Sequence, residues 1–435
     1  MSVAAPPADP TTTPTPVGRL SAALLASQTG LYIALLTPLQ LLLALQLTRI
    51  SGGTAATSAF SLVTGVGAIV ALVFTPIAGR ISDLTTFRLG RRRTGILVGS
   101  VTGAVVLVLL GSATTVWQVV LLWCVAKAAL SFQHASTTAT VADQVPPHRR
   151  GIVSGTLGLG IALSPLLGIA LVNALPAGSA TQWYAIAGTT VVGGGLAVLL
   201  IREGRPVRRE RPALGLGGVL RTFWLDPRRH PAFGWAWLVR FLITAAYASG
   251  TYLAFFLIQR FGAGPAEVGG LVFAMTVVNT VCLVTASLAA GHFSDRLARQ
   301  KPFVVAAGLL AAASMCTMAF APSILAVFVI HGVVGIGIGV FLSVDLAMCV
   351  RVLPHDEDAA KDLAIVNIAN TLPQSLVPLV APLLLGIGGF TALFGFLGLL
   401  GVVGAIAVRR VPEIGQEGGA PGVAPLTRLP AEPSS

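Results

Sequence analysis

GRISDLTTFRLGRRR, Gly79 to Arg93, carries Asp83 and five arginines between two long apolar runs. A shorter echo, GHFSDRLARQK from Gly291 to Lys301, places Asp295 and Arg296 between two further apolar runs. The pair reads as one design used twice, with both charged turns on the same side of a membrane.

Composition agrees with that reading. The chain is 54% hydrophobic and 10% charged, with mean hydropathy +0.85. A soluble chain of this length needs far more charge to cover its surface. The net charge of +12 could point to nucleic acid, but the charges fall in turns between apolar runs, the pattern of a cytoplasmic membrane face. The four cysteines lie in apolar segments without metal-ligand or CxxC spacing, and read as small core residues. Residues 1–18 are Pro/Thr-rich with no basic n-region, and residues 411–435 are rich in Pro, Gly and Glu; both read as disordered tails.

Twelve apolar runs are long enough to cross a bilayer: 19–47, 57–79, 94–113, 117–142, 151–175, 183–201, 233–258, 266–291, 302–320, 324–350, 363–385 and 390–408. The fold class is therefore an all-α polytopic membrane protein. The loop 202–232, with eight arginines between Arg202 and His230, divides it into six-helix halves at 19–201 and 233–410. That loop reads as a solvated linker beside anionic headgroups. Lys and Arg concentrate in alternate turns and at both chain ends, which predicts cytoplasmic termini. The halves echo each other: Thr29-x-x-Tyr32 returns as Thr244-x-x-Tyr247, and Asp143-Gln-Val-Pro146 as Arg351-Val-Leu-Pro354. Two parallel six-helix repeats are a transporter design.

With twelve spans, a central loop and G-x-x-x-D-…-G-R-R-R between spans 2 and 3, the chain resembles the major facilitator superfamily over residues 19–410. The charged turn is similar to that of the glycoside–pentoside–hexuronide and sucrose-transporter branch, as are Leu36-Thr37-Pro38, Gln40 and Ala142-Asp143. Span 2 departs from that branch in having no acidic residue, which speaks against sodium coupling of its type. Span 5 carries Gly160-x-x-x-Ser164-Pro165-x-x-Gly168, similar to a motif of drug/proton antiporters; close helix packing around a proline kink explains the same residues. The resemblance implies a conformational latch made by Gly79, Asp83, Arg88, Gly90, Arg91 and Arg92, with Gly291, Asp295 and Arg296 as its half-repeat. Asp83 would cap the start of span 11, and Asp295 the start of span 5 near Arg150 and Gly151.

Ionisable groups inside the apolar runs point to the working site, because each costs about 2.5–3.5 kcal/mol on insertion scales unless paired or hydrated. Lys127, His134, Arg240 and Asp345 stand out, with His331 weaker. Lys127, Ser131, His134 and Thr138 fall on one face of span 4; Arg240, Thr244, Tyr247 and Thr251 repeat the spacing on span 7. Such stripes must face the bundle interior. In the resembled family spans 1, 4, 7 and 10 line a central cavity, so Gln28 and Tyr32 of span 1 join them. Asn367 and Asn370 of span 11 are further sugar-orienting groups, with interhelical hydrogen bonding as the structural explanation.

Arg240 and Asp345 have similar depths, which predicts an ion pair. A carboxylate facing a guanidinium keeps its charge, and one drawn away from it in a low-dielectric cavity takes up a proton. The pair can therefore couple protons to transport, or be purely structural.

The expected function is secondary active transport of a small solute across the inner membrane by a monomer in lipid, proton-coupled, with a sugar or glycoside as the leading class. The alternatives are a drug or metabolite/proton antiporter, and a non-transporting membrane sensor. No H-x-x-x-H pair, P-loop, G-x-S-x-G elbow or dinucleotide fingerprint occurs, so neither an enzyme nor a cofactor or metal site is expected.

Overall fold

The computed structural model describes residues 15–85, 87, 89–146, 149–203, 231–297, 300–351 and 359–411. Arg88 and most of the 202–232 linker lie outside the described residues, as do the side chains of Asp295, Asn367 and Asn370.

The chain is nearly all helix. In the first half, α1 (Val17–Ser51), α2 (Gly53–Leu84), α3 (Arg91–Gly111), α4 (Val116–Gln144), α5 (Arg150–Asn173) and α6 (Ala180–Leu200) run alternately up and down. In the second half, α7 (Pro231–Phe261), α8 (Pro265–Leu297), α9 (Lys301–Ala319) and α10 (Ile324–Arg351) do the same. A continuous stretch, Ala359–Ala407, is broken by non-helical backbone at Gly388 and Gly389, the latter at φ 60°. This tight turn divides it into α11 (359–387) and α12 (390–407), completing twelve spans.

The packing repeats as the chain does. In the first half α1 packs on α6, α3 on α6, and α2 on α4. In the second, α7 and α9 both pack on α12, through Gly404 beside Ile243 and Gly308 beside Ala405, and α8 packs on α10. Glycine permits the closest approach in the first half. A Cβ on Gly30 would run into the Thr189 carbonyl, and one on Gly193 into that of Ala26. With lipid as solvent, such contacts and interhelical hydrogen bonds drive association.

One end of the molecule carries the charged turns and both described chain ends; here it is the charged end. The bundles meet in the opposite half. Leu379 of α11 packs on Gly65 of α2, and Asn173 of α5 on Gly269 of α8, contacts related by the repeat. Ser61 and Tyr252 hydroxyls lie 2.9 Å apart, and the Gln259 amide donates to the Gly53 carbonyl at 3.0 Å. Phe60 packs edge-on against Tyr252 and Phe255.

The central helices are irregular at matching places. α1 widens to a π turn at Pro38–Leu42, where proline supplies no N–H, and α7 tightens to a 3₁₀ turn at Ala248–Tyr252. These two turns touch across the bundle interface.

Sequence patterning ends span 2 at Gly79, but α2 continues through Leu84, and α8 through Leu297. Gly79 and Asp83 are therefore helical, as is the backbone of Gly291, Asp295 and Arg296. The extra turn carries Asp83 toward the start of α3.

Candidate functional site

On α4 the predicted stripe splits. The Lys127 ammonium lies 5.3 Å from the centre of the Trp123 ring, and its stem runs beside Gly67 of α2. Ser131 donates to the Lys127 carbonyl at 2.8 Å and accepts from Thr75 of α2 at 3.4 Å. His134 meets Tyr32 of α1 edge-on, ring centres 6.1 Å apart. Thr138 is exposed and its hydroxyl bonds back to the His134 carbonyl at 2.9 Å. Gln28 is buried, and its carboxamide oxygen has no partner among the described residues.

On α7 the stripe splits further. Arg240 forms an ion pair with Asp345 of α10, which is 1% exposed. The buried Thr244 hydroxyl has no partner among the described residues. The Tyr247 hydroxyl donates to the Ala307 carbonyl of α9 at 2.6 Å and lies against Gly337 of α10, inside its own bundle. Thr251 bonds to Ala248 one turn back, at 3.1 Å. Asn279 of α8 donates to the His331 carbonyl at 3.0 Å, an interhelical tie.

A second α4 face, which charge alone does not reveal, holds the first bundle together. Gln133, fully buried, donates to the Ser27 carbonyl at 3.2 Å and accepts from Thr190 of α6 at 2.9 Å. Thr137 pairs with the Ser27 hydroxyl at 2.9 Å. These neutral groups saturate one another, as buried polar atoms must.

At the charged end Arg92, with a side chain 6% exposed, is the hub. Its guanidinium lies 2.7 Å from Asp83 of α2 and 2.8 Å from Asp143 of α4, and donates to Ser82 at 3.1 Å. Arg91 shares Asp143 at 2.8 Å. Sequence reasoning missed Glu203, whose carboxylate accepts from the Arg92 and Arg93 backbone N–H groups at 2.9 and 3.1 Å. An anion there fills the orphan donors and positive dipole of the α3 start. Gly90, at φ 101°, lets the chain turn into that cap, and a Cβ on it would collide with Glu203. The only signal was an acidic residue heading an arginine-rich linker.

Two unsatisfied polar groups, a half-buried cation and a separate ion pair thus lie along α1, α4, α7 and α10, while the charged end knits α2, α3, α4 and the start of the linker together. The sequence model of the Major Facilitator Superfamily matches residues 20–284 and 261–431. The chain belongs to the Major Facilitator Superfamily and is a transporter, not an enzyme. No curated protein matches it by sequence.

Solved structures agree at the level of fold. A point mutant of the nucleoside transporter NupG superposes with TM-score 0.70 at 14% identity, covering 90% of this chain and 99% of that one. A D-xylose-proton symporter gives 0.66 at 16%, covering 90% and 98%. The human organic anion transporter MFSD10 (TETRAN) gives 0.62 at 16%, covering 90% and 99%.

Proposed function

We propose that the chain is a proton-coupled secondary carrier, for which a sugar or glycoside is the leading substrate class, working by alternating access. The observation that carries this reading is the ion pair between Arg240 and Asp345, buried across two helices that the family uses to line its cavity. Separating the pair would leave a carboxylate in a low-dielectric site, where it takes up a proton. A conformational change that makes and breaks the contact links protonation to movement of the solute. The unpartnered Gln28 and Thr244 groups, on the paired helices α1 and α7, are available to hydrogen-bond a hydroxylated solute. Tyr32, Ser131, His134, Thr138 and Thr251 complete the proposed lining, with Asn367 and Asn370 on α11.

With the charged end in the cytoplasm of the inner membrane, as the Lys and Arg distribution supports, both termini lie inside. Asp83, Arg91 and Arg92, with Gly79, Gly90 and Arg88, form the latch at the charged end; Gly291, Asp295 and Arg296 are its counterpart.

The test is uptake into proteoliposomes from a sugar panel, with and without an inward pH gradient. Asp345→Asn should abolish gradient-driven uptake while solute exchange persists. Gradient-driven uptake equal to wild type would remove Asp345 from coupling. Protonophore-sensitive efflux of lipophilic cations, with no sugar signal, would favour the antiporter reading. The α5 motif gives that reading weaker support, since Gly160 and Gly168 pack directly on Leu25, Thr29 and Thr37 of α1.

A further inference from the structure

We infer that Lys127 is the counter-ion for a negatively charged group on the solute, so that the transported class is a small organic anion, a sugar-sized carboxylate or phosphate ester. This deepens the carrier reading above and rests on it.

The argument is one of charge balance. Lys127 lies about 16 Å along α4 from its start at Val116, and farther still from the other end, too deep for its four-carbon stem to reach a headgroup layer. The other cation within a membrane-spanning segment, Arg240 of the second bundle, is matched by Asp345. Among the described residues no carboxylate forms an ion pair with Lys127. The membrane-embedded interior of the described chain therefore holds one cation more than its anions can neutralise.

The Trp123 ring 5.3 Å from the ammonium offsets only part of this. A cation over an aromatic face gains less than an ion pair in the same low-dielectric setting. Neighbouring hydroxyls do not close the gap. Ser131 and Thr75 donate to the Lys127 and Ala71 carbonyls and keep their oxygens as acceptors, but neutral acceptors supply no negative charge to match the ammonium. What stands on the same face is neutral and polar: the His134 imidazole, edge-on to Tyr32. A face with one unmatched ammonium, no carboxylate to repel an anion, and aromatic and imidazole edges beside it fits an acidic solute better than a neutral one.

The probes are D-glucuronate, D-glucose 6-phosphate and uncharged D-glucose, with the full chain purified in detergent and in proteoliposomes. Binding is read as ligand-dependent thermal stabilisation and transport as counterflow, for wild type, Lys127→Met and Lys127→Arg. We expect wild type to bind at least one acid and to discriminate against D-glucose. Affinity for that acid should fall by about thirtyfold or more in Lys127→Met, the size seen when one partner of a buried charge pair is truncated, and largely return in Lys127→Arg. Preference for glucuronate over the phosphate assigns a carboxylate, and the reverse assigns a phosphate ester. D-glucose bound as tightly as the acids, neither acid bound, or acid binding unchanged in Lys127→Met would each overturn the assignment. Binding without counterflow in wild type would sink the carrier reading and leave Lys127 as an anion site. Proton-driven D-glucose uptake at the wild-type rate in Lys127→Met would do the opposite.

Discussion

The hydroxyls of Ser61 and Tyr252 lie 2.9 Å apart across the interface between the two bundles, buried beneath Phe60 and Phe255. Tyr252 closes the 3₁₀ turn of α7, the turn that touches the π turn of α1. The bond therefore sits where the two irregular central helices meet. Under the alternating-access reading proposed above, this half parts in the opposite state, and the bond would then stabilise one conformation selectively.

Tyr252→Phe should shift the population toward the state open at the far end by about fivefold, since a neutral hydrogen bond contributes about 1 kcal/mol net. Ser61→Ala should produce the same shift, and the double variant no more than either alone. Spin-label distances between the far-end turns at Gly178 and Gly264 would report it. Unchanged distance distributions in both single variants would mean that the aromatic packing alone holds the closure.

Asp83→Asn should slow the switch between states without changing which solute is preferred. The residue pairs with Arg92, remote from Lys127 and Arg240, so it can act on the conformational equilibrium but not on solute contacts. Counterflow rates for two competing solutes give the answer: both should fall together, with their ratio constant. A changed ratio would mean that the charged turn reaches the cavity.

Glu203→Gln should lower the melting temperature by a few degrees, because the carboxylate caps two backbone donors at the start of α3 and meets its positive dipole end, together worth about 1–2 kcal/mol. Gly90→Ala should be worse, combining a strained positive φ with a Cβ that displaces Glu203. A Glu203→Gln protein as stable as wild type in detergent would show that water replaces the cap without loss.

Hydropathy made the spans legible because lipid exposure and helical hydrogen bonding leave little freedom in where an apolar run sits. The pairing of Arg240 with Asp345 followed from depth alone. Other features depended on rotation and side-chain reach, which spacing does not encode. Tyr247 shares a helical face with Arg240 but is long enough to reach the Ala307 carbonyl on α9. Gln133 was invisible to a search for charge, though it ties three helices together. Pro38 could have marked the irregular turn in α1, whereas nothing comparable precedes the 3₁₀ turn in α7. Glu203 was hidden by its linker, since its role depends on the α6 end returning beside the α3 start.

A buried ion pair can be structural or functional, and the two roles respond differently to removal of one partner and of both. Arg240→Met alone leaves the Asp345 carboxylate in a site 1% exposed, and should destabilise the fold by about 3–5 kcal/mol. Replacing both, Arg240→Met with Asp345→Leu, removes the desolvation cost along with the attraction, and should bring the melting temperature back close to wild type. If the pair only holds α7 against α10, the double variant should also recover gradient-driven uptake. If it couples protons, the double variant should fold and bind solute yet fail to accumulate it against a gradient. Melting curves and uptake measured on the same preparations separate the two, and recovery of accumulation together with stability would assign the pair to the scaffold.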